Sequence, residues 1–248
     1  MRIPVLLTAL VGFLILGSWV ESRAQWSVDV ESGLAVNGYN DVRIPGSTGT
    51  SISLTDDLHS DAQGFWRVRI GRRFGERHKL SLLIAPLRLQ AEGRLSHPIV
   101  FTSVIFPAGT ELRSLYRFDS YRLTYAYDVY RRKTLRIAAG ATAKIRDAAI
   151  RLTSDAQVAE KSNTGFVPLL HLAVDWDVSG RLRVVLDVDA LAAPQGRAED
   201  VLLALSGRLN ESLHLRAGYR MLEGGADNDE VYNFTLVNYA LVGIAWEF

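Results

Sequence analysis

The chain has no cysteine and only two methionines among its 248 residues. Without a thiol there is no disulfide framework, no thiolate metal site and no cysteine nucleophile. Net charge is close to balance, with 28 basic and 27 acidic residues, so nothing in the charge argues for nucleic acid. Long apolar runs are missing after the first two dozen residues. Charges interrupt every later segment, which excludes a membrane protein built from helices.

One apolar run does exist, at the start. Met1-Arg2 precedes it, it extends from Val5 to Val20, and Glu21-Ser22-Arg23-Ala24 closes it. A basic residue, a short apolar core and small residues at Ser22 and Ala24 make a secretory signal peptide, with cleavage expected after Ala24. The run is short for a membrane anchor, which needs about 20 residues. The expected organisation is a signal peptide over residues 1–24 and one domain over 25–248, about 224 residues and one domain by length.

From Trp26 onward the apolar signal has period two. Tyr232, Phe234, Leu236, Val242, Ile244, Trp246 and Phe248 share one face of the last segment, and Asn233, Thr235, Tyr239, Gly243 and Glu247 share the other. Such alternation is a strand with one apolar face. It recurs in Trp26, Val28 and Val30 against Ser27, Asp29 and Glu31, and in Trp66, Val68 and Ile70 against Arg67, Arg69 and Gly71. Ten strands are expected near 25–37, 64–74, 79–92, 112–129, 134–151, 165–177, 181–191, 199–209, 213–222 and 231–248. Their connections alternate between short turns and longer loops at 38–63, 93–111, 152–164, 192–198 and 223–230. That alternation is the pattern of a transmembrane barrel.

Hairpin register gives expected partners. A three-residue loop at Val178-Ser179-Gly180, with Gly180 in the left-handed region, would set Asp177 opposite Arg181, Asp175 opposite Arg183 and His171 opposite Asp187. Across the turn at Tyr130 to Thr134, Asp128 would face Arg136. The polar face carries small residues and paired charges, whereas aromatics on the apolar face gather in two rows. Trp26, Phe74, Tyr127, Trp176, Trp246 and Phe248 lie near the short turns. Trp66, Tyr219, Tyr232 and Phe234 lie near the long loops. Two aromatic rows around an aliphatic band fit a barrel with its apolar face in lipid and its charges in the lumen.

The ending Ala240-Leu241-Val242-Gly243-Ile244-Ala245-Trp246-Glu247-Phe248 resembles the last strand of bacterial outer-membrane barrels, which close on phenylalanine after alternating apolar residues. The length is similar to the OmpX-like and omptin size class. This resemblance implies an all-β fold, a closed antiparallel up-and-down transmembrane β-barrel of about ten strands, with eight as the alternative. It also implies an outer-membrane location, contact with outer-membrane lipid and lipopolysaccharide, and handling by the barrel-assembly machinery. It does not imply an oligomeric state.

Parity assigns a lumen. It would hold Asp29, Glu31, Asp128, Asp175, Asp177, Asp187, Asp189 and Glu247. The bases would be Arg67, Arg69, Arg73, Arg122, Arg136, Lys144, Arg146, Arg181, Arg183, Arg208, Arg216 and Arg220. Paired, these charges fill a narrow barrel; unpaired, they line a narrow, mildly anion-preferring pore. His171 beside an aspartate resembles a catalytic couple but lacks a nucleophile by register. His59, in Thr55-Asp56-Asp57-Leu58-His59-Ser60-Asp61, shares residue types with the omptin rim and no omptin motif. His97 stands before Pro98 without acidic neighbours, and His214 stands among arginines. Glu223 to Glu230 is acidic and turn-forming, with oxygen ligands that suit calcium but not at EF-hand spacing. Ile99, Val100, Phe101, Val104, Ile105 and Phe106 are too apolar for a free loop; they extend strands, fold into the mouth or meet a partner. The expected function is therefore a non-enzymatic barrel, structural or interaction-related, with a side-chain-filled lumen and without catalytic, cofactor or metal residues. A narrow channel is the alternative, and a surface lipid or peptide hydrolase the second.

Overall fold

The computed structural model describes residues 25–194 and 196–248. The expected signal peptide, residues 1–24, lies outside the described residues. Fifteen strands follow in chain order: β1 (Gln25–Arg43), β2 (Ile52–Ser53), β3 (His59–Ser60), β4 (Gln63–Phe74), β5 (His78–Ala85), β6 (Arg88–Arg94), β7 (Ile99–Phe101), β8 (Val104–Phe106), β9 (Glu111–Arg131), β10 (Leu135–Thr153), β11 (Val158–Asp177), β12 (Leu182–Ala193), β13 (Gly196–Arg208), β14 (Leu213–Asp227) and β15 (Tyr232–Glu247).

The wall is a closed antiparallel ring. Strands β9 to β15 pair in sequence, β15 pairs β1, and β1 pairs β4, which pairs β5. Strand β5 pairs the lower half of β9, and β6 pairs its upper half, so the two form one interrupted wall strand. Counted this way the described ring has the ten expected strands. Closure is reciprocal at the ends of the chain: Trp26 N donates to Phe248 O at 2.7 Å and Phe248 N donates to Trp26 O at 2.9 Å.

The period-two pattern decides inside from outside. Val30, Leu34 and Val36 point outward and are exposed, while Glu31 and Ala35 point inward and are buried. Leu170, Leu172, Trp176, Leu203, Leu205, Val242, Ile244 and Trp246 likewise cover the outer face. A soluble protein would bury such a surface; a wall in lipid requires it.

Strands outrun the expected bounds at the long-loop end. Residues 152–164 read as a loop because they are polar, yet β10 and β11 pair there out to Thr153 and Val158. Arg151 donates to Glu160 across this ladder at 2.5 Å, so charge pairs continue the sheet where lipid no longer dictates apolar residues. The acidic tip shrinks in the same way. Gly225 sits in the ladder opposite Phe234, and a Cβ there would lie 2.1 Å from Asn233 O. A tag between Asp229 and Glu230 should therefore be reachable from outside intact cells, and one between Ser179 and Gly180 should not. Protease access to tagged cells checks this, and the opposite pattern would invert the barrel.

Two expected turns are corrected. Across the turn after β9 a register shift sets Asp128 opposite Ala138 and Arg136 opposite Arg131, and Arg136 reaches Asp128 only diagonally. The connection after β11 has four residues, 178–181, and Gly180 is not in the left-handed region. Ser179 Oγ instead accepts from the Leu182 amide at 3.2 Å. The register moves by two, which keeps every face but changes every partner: Asp177 lies opposite Arg183 and His171 opposite Asp189.

Candidate functional site: the filled lumen

Three layers fill the interior. At the short-turn end a cavity of about 670 Å³ opens among Asp29, Arg73, Lys79, Arg136, Asp175 and Arg216. Most of its charges are paired, and several of these side chains are partly exposed. Arg136 donates to Asp128 at 2.7 Å and to Asp175 at 2.6 Å, and Arg216 meets Asp29 at 2.8 Å. Arg183 bonds Asp177 at 2.7 Å rather than Asp175. Arg181 and Arg208, expected in the lumen, lie exposed at the turn, where Arg208 donates to Gly180 O.

The middle layer is a buried ionic network. Asp200 accepts from three guanidinium groups: Arg67 at 3.0 Å, Arg122 at 2.6 Å and Arg220 at 2.5 Å. Arg220 also bonds both oxygens of Glu31 at 2.9 Å, and Arg122 bonds Asp189 at 2.8 Å. Asp189 further accepts from Thr142 at 2.8 Å and meets His171 Nδ1 at 2.8 Å. The side chains of Arg122, Asp189, Asp200 and Arg220 are at most 2% exposed. Three arginines and three acids balance, and each acid meets at least two donors. That satisfies the condition under which charges can be buried together. Asp187 is not the partner of His171; it holds Arg69 at 3.4 Å.

The upper layer is apolar. Ile44, Ile52, Leu54 and Leu58 from residues 38–63 fold into the mouth. Leu95, Ile99, Phe101 and Phe106 come in from residues 93–111. They meet Val42, Leu89, Leu112, Leu152 and Val237 of the wall in one buried cluster. Ile99, Phe101 and Phe106 are fully buried, so the β7–β8 hairpin folds inward; only Ile105 of this set is exposed. At the join between layers, Lys144 stands 4.8 Å over the Phe118 ring, and Phe65 meets Tyr239 edge-on at 4.8 Å.

Parity found most of the lumen and missed its most connected acid. Asp200 shares the inward parity of Leu202, Ala204 and Ser206, and lies at the first residues of the expected strand, which begins at Glu199. Extending the alternation backward through Ser206, Ala204 and Leu202 would have reached it.

The rim candidates stay apart. His59 meets Asp61 at 3.3 Å with both side chains at least 80% exposed. His97 meets Ser96 Oγ at 3.0 Å on an exposed loop. Glu223 is held by Arg197 at 2.8 Å and by the Tyr39 hydroxyl, which takes it out of the acidic tip. Among the described residues no group of three or more His, Asp or Glu side chains is placed to hold a metal ion.

No known protein-family model matches the chain, and no curated protein sequence is similar to it. Solved structures do resemble it. The outer-membrane protease OmpT from Escherichia coli aligns over 90% of this chain and 97% of that one, at 8% identity and a TM-score of 0.57. Ail, the attachment invasion locus protein of Yersinia pestis, aligns over 92% and 100%, at 8% identity and 0.42. Neisserial surface protein A aligns over 90% and 97%, at 13% identity and 0.38. At such identities the OmpT likeness speaks for the fold, and the outward apolar wall for the surroundings. Together they make this chain an integral ten-stranded barrel of the bacterial outer-membrane kind.

Proposed function

We propose that this chain is a sealed, non-enzymatic barrel of the outer membrane, which acts through its wall and its outer rim rather than through a pore. The supporting observation is two filled layers in series: a balanced ionic network at mid-height and an apolar plug above it. An ion crossing would have to break buried charge pairs and then enter a region without polar partners, each at a cost of several kcal/mol. In this reading lipid and lipopolysaccharide contact the wall, and the assembly machinery reads the strand that ends at Phe248. The outer rim, with Asp56, Asp57, Asp61, Asp229 and Glu230, is the surface presented outward.

The cavity at the short-turn end favours a second reading, a narrow channel whose plug moves. Purified protein in a planar bilayer decides between them. A sealed barrel gives no steady single-channel current, whereas a reproducible ohmic conductance would overturn the proposal.

A further inference from the structure

The cavity at the short-turn end is a vestibule with a closed top. Glu31 and Arg220 of the buried network line its upper part, and Arg132 and Lys133, exposed in the turn after β9, line its mouth. Its volume of about 670 Å³ falls within the range of small-molecule sites, about 300–1,000 Å³. One stretch of its wall is kept low. Register places Ser27, Gly71, Ser81 and Thr124 side by side on β1, β4, β5 and β9, all on the lumen face. A Cβ on Gly71 would lie 2.7 Å from Ser27 Oγ and 2.9 Å from Lys79 Cε. The glycine therefore lets the Lys79 side chain lie across the wall at this height.

Donors on this stretch lack partners within the protein. Ser81 is 6% exposed, yet among the described residues neither its hydroxyl nor that of Ser27 makes a hydrogen bond. Lys79 forms no ion pair among the described residues, and the same is true of Arg132 and Lys133 at the mouth. The charges acting most strongly on Lys79 are Arg136, Arg69, Asp175 and Arg73, three positive and one negative. The other arginines of the lining each meet a carboxylate. Among the lining acids only Glu247 lacks an ion pair, and it accepts from Gln25. Three unpaired cations thus stand against one unpaired carboxylate.

We propose that this vestibule binds a small organic anion from the short-turn side, with the phosphate or carboxylate group of the anion on Lys79 and on the Ser27 and Ser81 hydroxyls. An ammonium supplies donors only, and two free hydroxyls beside it add more, so the group that completes them is an acceptor with negative charge. An apolar or cationic solute would displace water from Lys79 and give nothing back. Arg132 and Lys133 raise the local concentration of anions at the mouth. The volume leaves room for a body larger than the acid group itself. Binding of this kind needs the vestibule and not a conducting lumen, so it holds whether or not the barrel is sealed.

The test titrates the folded chain, in nonionic detergent, with citrate and with glucose 6-phosphate, and follows binding by calorimetry; glucose is the uncharged control. Saturable binding of at least one of the two anions is expected, weakening as salt rises, with none of glucose. Lys79→Gln should weaken it about tenfold or more, the usual worth of a hydrogen bond to a charged group. Ser81→Ala should weaken it by a smaller factor. Arg151→Gln, on an exposed side chain at the opposite end of the barrel, should leave it unchanged. No saturable binding of either anion would overturn the proposal. So would equal binding of glucose, or a loss with Arg151→Gln as large as with Lys79→Gln, which would mark unspecific attraction. If Lys79→Gln gives no compact band on an unheated gel, Arg132→Gln combined with Lys133→Gln in the exposed turn takes its place, and unchanged affinity in that variant would overturn the proposal.

Discussion

Asp200→Ala should destabilise the barrel by about 3–5 kcal/mol, the cost of leaving buried charge without its counter-charge. The reason is connectivity. Asp200 answers Arg67, Arg122 and Arg220 at once, and its own side chain is 2% exposed. Its removal leaves three guanidinium groups to share Glu31 and Asp189. Urea titration of the folded fraction, read as the compact band on an unheated gel, measures the loss. Adding Arg122→Ala should restore part of it, and the coupling term is what a double-mutant cycle isolates. Asp175→Ala provides the contrast. Asp175 lies on the short-turn cavity with its side chain 21% exposed, and Arg136 keeps Asp128 when Asp175 is gone. Its loss should cost on the order of 1 kcal/mol. Equal effects at Asp200 and Asp175 would mean that the middle layer is hydrated, and the sealed-lumen proposal would lose its main support.

The wall was legible in the sequence because lipid outside and charge inside impose the same period on every strand. Ten strands, their faces and the aromatic rows follow from that period alone. Partners were less legible, because an error of two residues in a turn leaves the faces intact and moves every contact. His171 thus found Asp189 instead of Asp187, and Arg183 found Asp177 instead of Asp175. Longer-range pairs such as Arg67 with Asp200 cross the lumen, and no local register reaches them. The upper third was legible in part. The apolar set from Ile99 to Phe106 announced a buried segment, but Ile44, Ile52, Leu54 and Leu58 are spread through a polar loop without a period. Their burial depends on the barrel mouth being open above the ionic layer to receive them.

The upper layer is built from two loops and the lower ones from the wall, which suggests that they open separately. Proteins open in contiguous units of unequal stability, and loops packed by their own side chains open before the ladders that carry them. Phe101 tests this. It is fully buried in the plug and belongs to β7, whose strand partner among the described residues is β8. Phe101→Ala removes a ring from a site with little room to collapse, a change that typically costs about 3–5 kcal/mol. That loss should appear in the plug alone. Protease cleavage within residues 96–108 and amide exchange in β7 should accelerate, while the urea midpoint of the ring stays in place. Asp200→Ala should do the reverse, shifting the ring midpoint, since Phe101 and Asp200 share no hydrogen-bond or ion-pair partner. If Phe101→Ala shifts the ring midpoint as far as Asp200→Ala does, plug and wall unfold as one unit. The plug could then not move without unfolding the barrel, and the channel reading, which needs a mobile plug, would fail with it.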